Sequence, residues 1–216
     1  MDKTKIAIDV FDQCASDYQD KFMNVDLYKD SLDVFCNNIM LPNAQVLEIA
    51  CGPGNITRYL LQKLPDLKIL GIDLAVNMLN LAKINNPAAE FKIMDCRNIG
   101  TTENRYDAII CGFGLPYLSK EESKKLISDA SRILTPKGIL YLSTMEDDYS
   151  KSGFKKSSTG EFEMYIYYHQ ADYLISSLEE NNFEIIDLQR KIYTGLDSTQ
   201  TNDLIIIARN NIIPDL

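Results

Sequence analysis

The sequence lacks a long hydrophobic run, a paired-cysteine motif and an excess of basic residues. No apolar stretch approaches the roughly 18 residues needed to cross a bilayer. The N-terminal segment, MDKTKIAIDVFDQ, has no apolar region of the kind found in a signal peptide. The five cysteines are odd in number, and none has CxxC spacing. We therefore expect neither a disulfide framework nor a zinc site, and we expect a reducing, cytoplasmic location.

Acidic residues outnumber basic ones, with 31 Asp and Glu against 22 Lys and Arg, which gives a formal net charge of −9. This balance disfavours nucleic acid or an anionic membrane surface as the main partner, because both would repel the chain. A chain of 216 residues with 45% apolar composition is long enough to form one domain with a full core. A small molecule is therefore the partner that we expect.

The spacing of apolar residues predicts an α/β fold behind a helical N-terminal segment. Two helical stripes run from Phe11 to Phe22 and from Tyr28 to Ile39. Short apolar runs then alternate with amphipathic helices, which predicts a mainly parallel, doubly wound sheet. The predicted strands are 45–50, 68–72, 90–94, 106–111 and 138–144, and the predicted helices are 55–64, 75–84 and 120–134. Residues 145–163 predict a loop or small hairpin, followed by a helix at 171–182 and an antiparallel pair of strands at 183–192 and 203–209.

A glycine-rich turn follows the first predicted strand. Gly52 and Gly54 stand before the next helix, where backbone can approach a ligand closely. Asp73 ends the second strand, where a carboxylate can accept hydrogen bonds from both hydroxyls of a ribose. Pro53 and Thr57 disfavour a dinucleotide cofactor. The pyrophosphate of a dinucleotide requires a small residue at the position that Thr57 occupies. The pattern predicts another nucleoside cofactor, and the alternative is a tight turn followed by a surface carboxylate.

Five successive motifs resemble those of the class I S-adenosylmethionine (SAM)-dependent methyltransferases: VLEIACGPGN, GIDLAVNML, FKIMDCRNI, YDAIICGFGLPYL and LTPKGILYLS. The resemblance implies a Rossmann-like, seven-stranded, mostly parallel sheet with an antiparallel last strand pair and N-terminal cap helices. It implies a single domain over 1–216. Its parts are a helical cap (1–42), a SAM-binding core (43–144), a variable insertion or lid (145–169), and a C-terminal helix and hairpin (170–216).

The resemblance also implies which residues bind SAM. Glu48 would organise the methionine end of the cofactor, and Asp73 would bind the ribose. Tyr18 either covers the methionine carboxylate or packs in the core. The other predicted cofactor contacts are backbone at Ala50, Cys51 and Gly52, the adenine flanks Leu74 and Met78, a carboxylate at Asp95, the amide of Cys96, and the loop positions Gly54 and Cys111. Ala50 stands where the family usually has glycine, and the alanine side chain narrows the loop.

The acceptor side is predicted from the loop after the fourth strand and from the insertion. His169, the single histidine, is either a general base or substrate contact, or a polar residue at the start of the last long helix. The predicted acceptor pocket contains Phe113, Leu115, Tyr117, Tyr165 and Tyr168, although simple packing explains the last two tyrosines equally well. The loop after the fourth strand lacks the acidic ligands of magnesium-dependent relatives, so no metal is expected.

Three functions are compatible with these motifs. The first is a SAM-dependent methyltransferase that acts on an unidentified small-molecule acceptor. The second is a regulatory protein of the same fold that binds SAM or its product S-adenosylhomocysteine (SAH) without turnover. The third is a nicotinamide-dependent oxidoreductase, which Pro53 and Thr57 disfavour.

Overall fold

Helices and strands alternate along most of the chain. The computed structural model describes residues 3–157, 160–195 and 198–212. Its helices are α1 (Lys3–Gln13), α2 (Ala15–Phe22), α3 (Lys29–Asn37), α4 (Asn55–Lys63), α5 (Val76–Asn85), α6 (Lys120–Ile133) and α7 (Ala171–Glu180). Its strands are β1 (Gln45–Ile49), β2 (Lys68–Asp73), β3 (Glu90–Ile93), β4 (Tyr106–Cys111), β5 (Leu134–Met145), β6 (Gly153–Lys156), β7 (Glu163–Ile166), β8 (Phe183–Thr194) and β9 (Gln200–Asn210). Within these ranges, no helix combines the length and apolarity needed to cross a membrane.

Seven of the strands form one sheet in the order β3-β2-β1-β4-β5-β9-β8. Neighbouring strands from β3 to β5 are parallel, whereas β9 is antiparallel to both β5 and β8. This confirms the predicted fold class, including the antiparallel last pair. The strand order reverses between β1 and β4, so the carboxyl ends of these strands border the crevice where ligands bind in open α/β sheets.

The sheet is covered by helices on both faces. Leu47 and Ile49 of β1 join the core cluster that contains Leu126 of α6. Val46, which points to the opposite face, joins the cluster that contains Phe35 of α3. This alternation follows from the two-residue period of a strand. It explains why residues 46–49 of β1 are apolar except for Glu48, as expected where a strand is buried on both faces.

Several boundaries differ from the sequence-based prediction, and the structure shows the cause of two of these differences. The first helical stripe is broken at Cys14, which separates α1 from α2. Strand β5 begins at Leu134 instead of residue 138, immediately after α6, because Leu134 already pairs with Tyr106. The register then shifts before Ile139 pairs with Ala108. Pro136 lies in this irregular stretch, where the missing proline N–H interrupts no regular ladder.

The insertion contains a small hairpin, one of the two structures predicted for residues 145–163. Strand β6 pairs with β7 in an antiparallel two-stranded sheet that is separate from the main sheet. Helix α1 packs against β7, where the Lys3 ammonium lies 3.4 Å from the ring centroid of Tyr165 and its nitrogen lies 3.2 Å from the Tyr167 hydroxyl oxygen. The N-terminal helices and the insertion therefore meet above the carboxyl edge of the sheet.

Candidate active site

A cavity of about 540 Å³ lies at the carboxyl edge of the sheet. Its floor is formed by the loops that follow β1, β2 and β4. Its cover is formed by α1, α2, the turn at Asp26–Tyr28 and part of the connection between β6 and β7. The cavity also reaches β5, β8 and β9, and so it extends across the sheet from the β2 end to the antiparallel strands. Its volume is in the range of small-molecule sites.

The loop after β1 presents backbone to the cavity. Ala50, Gly52 and Gly54 all have positive φ, at 53°, 51° and 79°. Gly54 then caps α4, and its carbonyl accepts a hydrogen bond from the side-chain amide of Asn86 at 2.9 Å. That amide occupies the space that a Cβ at position 54 would need, so glycine is required there by packing as well as by its backbone angle.

Asp73 is held at the cavity wall by two backbone amides. Its Oδ2 accepts a hydrogen bond from the N–H of Gly52 at 2.9 Å, and its Oδ1 accepts one from the N–H of Ala75 at 2.9 Å. Burial raises the pKa of the Asp73 carboxyl, and these backbone donors oppose the rise. A carboxylate has about four acceptor sites, so both oxygens can still accept bonds from a ligand's hydroxyls.

Glu48 lies behind the glycine-rich loop and not on the cavity wall. Its side chain is buried, and its Oε2 accepts a hydrogen bond from the hydroxyl of Thr57 in the first turn of α4. Burial, with a smaller contribution from the nearby Asp73, raises the pKa of the Glu48 carboxyl to about 8 against the opposing bonds from Thr57. The sequence-based interpretation put Glu48 at the methionine end of the cofactor. That role stays a prediction, and the contact observed for the Glu48 side chain is with Thr57 of α4.

An apolar slot lies beside Asp73. Leu74, Met78 and Cys96 contribute to its walls, and Met78 is almost completely buried. Asp95 reaches the cavity but is also bound by its neighbour Arg97, whose Nε and Nη2 lie 2.9 and 2.6 Å from Asp95 Oδ2. Burial favours a raised pKa for Asp95, but the bonds from Arg97 outweigh it, and the pKa is lowered. Asp95 is therefore an ionised acceptor at the edge of the slot.

Five aromatic rings, three of them from the N-terminal helices, cover the loop. We call Phe11, Tyr18, Phe22, Tyr117 and Tyr193 the aromatic hood. Consecutive ring centroids, taken in the order Tyr117, Phe11, Tyr18, Phe22, Tyr193, are separated by 5.0, 5.6, 4.6 and 6.2 Å. Tyr18 lies directly over Gly52, where a Cβ added to the glycine would be 3.8 Å from the tyrosine ring. Burial raises the pKa of the Tyr18 hydroxyl.

A second polar group lies at the other end of the cavity. The Tyr28 hydroxyl donates a hydrogen bond to Asp203 Oδ2 at 2.7 Å, and the Tyr28 ring lies 5.2 Å from that of Phe113. Sequence reasoning missed both Tyr28 and Asp203. Tyr28 was assigned to a helical core stripe, and Asp203 was the first residue of a predicted strand. A signal was available, since Asp203 is a charged residue at the start of the apolar run LIIIA.

His169 is buried away from the cavity. Its Nε2 lies 2.8 Å from the carbonyl oxygen of Leu115, and its Nδ1 bonds to the Tyr173 hydroxyl. Burial lowers the pKa of His169. Because both ring nitrogens are engaged, His169 holds the loop after β4 against α7, and its position gives no support to a role as general base.

The predicted site residues divide into two groups. Those on the cavity wall are Tyr18, Ala50, Cys51, Gly52, Asp73, Leu74, Met78, Asp95, Cys96, Phe113 and Tyr117. Those away from the wall are Glu48, Gly54, Cys111, Leu115, Tyr165, Tyr168 and His169. Tyr165 and Tyr168 are instead near the ammonium groups of Lys3 and Lys155. The insertion contributes other residues to the wall, namely Ser157, Glu161, Phe162 and Met164.

The central part of the chain is similar to known methyltransferase domains. The family model for a methyltransferase domain matches residues 46–138, from β1 into β5. The demethylmenaquinone methyltransferase of Thermotoga maritima is 32% identical over 98 residues, which cover 45% of this chain and 42% of that protein. Putative methyltransferase 235L of Invertebrate iridescent virus 6 is 33% identical over 81 residues, which cover 38% of this chain and 30% of that protein. The chain thus spans less than half the length of these relatives.

A solved structure extends the likeness of the fold to nearly the whole chain. Magnesium protoporphyrin IX methyltransferase from Synechocystis PCC 6803 with bound SAH aligns with a TM-score of 0.70 at 18% identity. The alignment covers 96% of this chain and 99% of that one. At this level of identity, the comparison establishes a shared fold.

Proposed function

We propose that the chain is a class I SAM-dependent methyltransferase that transfers the methyl group of SAM to a small-molecule acceptor, since its central part matches a methyltransferase family model and its fold resembles that of an SAH-bound methyltransferase. The observation that carries this proposal is the position of Asp73. Its carboxylate lies on a cavity wall beside an exposed glycine backbone and an apolar slot. This combination suits a nucleoside, whose ribose needs a hydrogen-bond acceptor and whose base needs an apolar slot.

The chemistry of the residues along the cavity wall matches the successive parts of SAM. Asp73 would accept bonds from the ribose hydroxyls, and Leu74 and Met78 would flank the adenine. Asp95 would accept a bond from the adenine amino group, although it shares its oxygens with Arg97. The remaining proposed contacts are the loop backbone at Ala50, Cys51 and Gly52 and the side chain of Tyr18 in the aromatic hood.

SAM supplies a methyl group that is activated by a positively charged sulfur, which becomes a neutral thioether when the methyl group leaves. The protein's contribution is therefore orientation and the exclusion of water. The aromatic hood covers the glycine-rich loop with apolar rings, and the carboxylates on the wall favour a cationic cofactor. Phe113 and Tyr117 would direct the acceptor toward the loop from the β4 side.

The cavity supports catalysis over binding alone. It continues past the glycine-rich loop to Phe113, Tyr28 and Asp203, so the described residues of the insertion leave the proposed acceptor side open. The space beyond the cofactor contacts would hold a small acceptor. The relatives' names include demethylmenaquinone and trans-aconitate methyltransferases, so they differ in their acceptors and do not select one for this chain.

Thermal unfolding in the presence of SAM, SAH or NADH tests the proposal. A ligand present at about 100 times its dissociation constant stabilises the folded state by roughly 2.7 kcal/mol. For a domain of this size, that corresponds to an increase of about 5–10 °C in the unfolding midpoint. We expect this increase with SAM and SAH and none with NADH. A folded protein whose midpoint does not change with SAM or SAH would contradict the proposal.

A further inference from the structure

Asp203 is a buried carboxylate on the cavity wall. It lies near the start of β9, opposite Met145 of β5, and only 2% of its surface is exposed. The hydroxyl of Tyr28 donates to its Oδ2 at 2.7 Å, and the hydroxyl of Thr201 lies 3.2 Å from its Oδ1. All three residues line the cavity. The carboxylate is thus fixed in orientation by hydroxyl groups from two separate parts of the chain.

No cationic side chain pairs with Asp203 in the part of the chain that the structure describes. The described charged residues on the cavity wall are five acids and two bases: Asp17, Asp73, Asp95, Glu161 and Asp203, with Lys21 and Arg97. Arg97 is bound to Asp95 and Glu122. A buried carboxylate without a cation is costly, so its natural complement is a positively charged ligand.

The surroundings of Asp203 also favour a cation. The rings of Tyr28 and Phe113 lie 5.2 Å apart, and Tyr141 and Tyr193 line the same end of the cavity. Aromatic faces attract ammonium groups through their quadrupoles, and the attraction grows when water is excluded. The net charge of −9 likewise favours the approach of a cationic small molecule over an anionic one.

We propose that the Asp203 carboxylate, held by the Tyr28 hydroxyl, binds the amino group of an amine acceptor and takes the proton that the nitrogen must lose before methylation. This inference rests on the proposed methyltransferase function and specifies its acceptor as a primary or secondary amine. Burial raises the pKa of Asp203 against the bonds from Tyr28 and Thr201, which favours a carboxyl group that can hold this proton.

The step is balanced in atoms and charge. A bound ammonium gives one proton to the Asp203 carboxylate. The freed nitrogen lone pair forms the N–C bond while the S–C bond of the sulfonium breaks. The products are a methylated ammonium, a neutral thioether and protonated Asp203, which returns its proton to solvent after product release. The Tyr28 hydroxyl keeps the carboxylate oriented and is a positioning group.

Three probes that share a phenyl ring and differ in charge test the proposal: 2-phenylethylamine, 2-phenylethanol and phenylacetate. Each is titrated calorimetrically into SAH-loaded wild-type protein and into three variants. We expect the wild type to prefer the amine over both other probes by about 10-fold or more. Asp203→Asn removes the charge while preserving the shape of the side chain, and it should abolish this preference. Tyr28→Phe keeps the charge and should reduce the preference.

Asp187→Asn is the matched control, since Asp187 lies on the neighbouring strand β8, where its carboxylate accepts a hydrogen bond from the side-chain amide of Gln189. This variant should retain the preference for the amine. Equal binding of all three probes, tighter binding of phenylacetate, or no binding of the amine by SAH-loaded wild type would overturn the assignment. So would a folded Asp203→Asn variant that keeps the preference. Failure of the wild type to bind SAH would instead contradict the proposed function.

Discussion

At the scale of single residues, the most unusual group is Glu48, a carboxyl buried within the central strand of the sheet. It has no cation beside it in the described structure, and Thr57 is its hydrogen-bond donor. Such a group is more stable protonated than ionised, which accounts for its raised pKa of about 8. The folded state therefore holds a proton that the unfolded chain releases near pH 4.5.

The contribution of Glu48 to stability should therefore fall as the pH rises from about 4.5 to about 8, since the unfolded chain gives up the proton more readily over that interval. The slope from one group is at most about 1.4 kcal/mol per pH unit. Glu48→Gln keeps the size of the side chain and removes the titration. Urea unfolding at several pH values should give a flatter profile for the variant. Parallel profiles for the variant and the wild type would contradict the raised pKa.

Ala50 illustrates how neighbours compensate for a single substitution. Its φ of 53° lies in the region that favours glycine, and a Cβ there costs about 1–2 kcal/mol. Its methyl group faces Gly114, where an added Cβ would lie only 3.2 Å away. The loop after β4 therefore leaves room for Ala50. The resemblance alone suggested a narrowed loop, whereas the contact explains why alanine is accommodated.

At the scale of elements, the N-terminal helices are bound to the core through α5. Ala75, the residue before α5, provides no side-chain cap. Asp12 of α1 supplies it instead, since its Oδ1 accepts a hydrogen bond from the N–H of Asn77 at 2.6 Å. At the other end of α5, the side-chain amide of Asn85 donates to Gln19 of α2 at 2.7 Å. The helices that carry three of the five rings of the aromatic hood are thus fixed at both ends of one core helix.

Asp12→Ala should lower the free energy of unfolding by about 0.5–2 kcal/mol, because the first turn of α5 loses both its acceptor and a favourable charge at the helix N-terminus. Asp9→Ala is the control, since Asp9 is an exposed acid on the same helix. Urea unfolding measures both variants. Equal stability of the two variants would show that the contact between Asp12 and α5 contributes nothing.

Element types were predictable from the sequence wherever one pattern continued over several residues. Both ends of β4 were predicted correctly from its buried apolar run, and the predicted ends of β1 and β2 were correct to within one residue. The break at Cys14 and the early start of β5 were not predictable. The first is a local turn within an uninterrupted apolar stripe, and the second depends on the pairing of Leu134 with a distant strand.

At the scale of the whole molecule, the cavity has two parts of different origin. The proposed cofactor part is built by short loops next to β1 and β2, so residues such as Gly52 and Asp73 could be recognised from their sequence spacing. The proposed acceptor part joins Tyr28 to Asp203, 175 residues apart in the sequence. No local pattern carries that information, because it arises only when β9 inserts beside β5.

Asp73 is the central residue of the proposed cofactor site, and titration calorimetry with SAH on wild type, Asp73→Asn and the control Asp187→Asn measures its role. Loss of charge-assisted bonds to the ribose costs roughly 1.5–3 kcal/mol, which is about 10- to 150-fold in affinity. We predict that wild type and Asp187→Asn bind one SAH per chain with equal affinity and that Asp73→Asn binds it weaker by that factor. Unchanged affinity for SAH in folded Asp73→Asn would contradict the proposal that Asp73 binds the ribose of the cofactor.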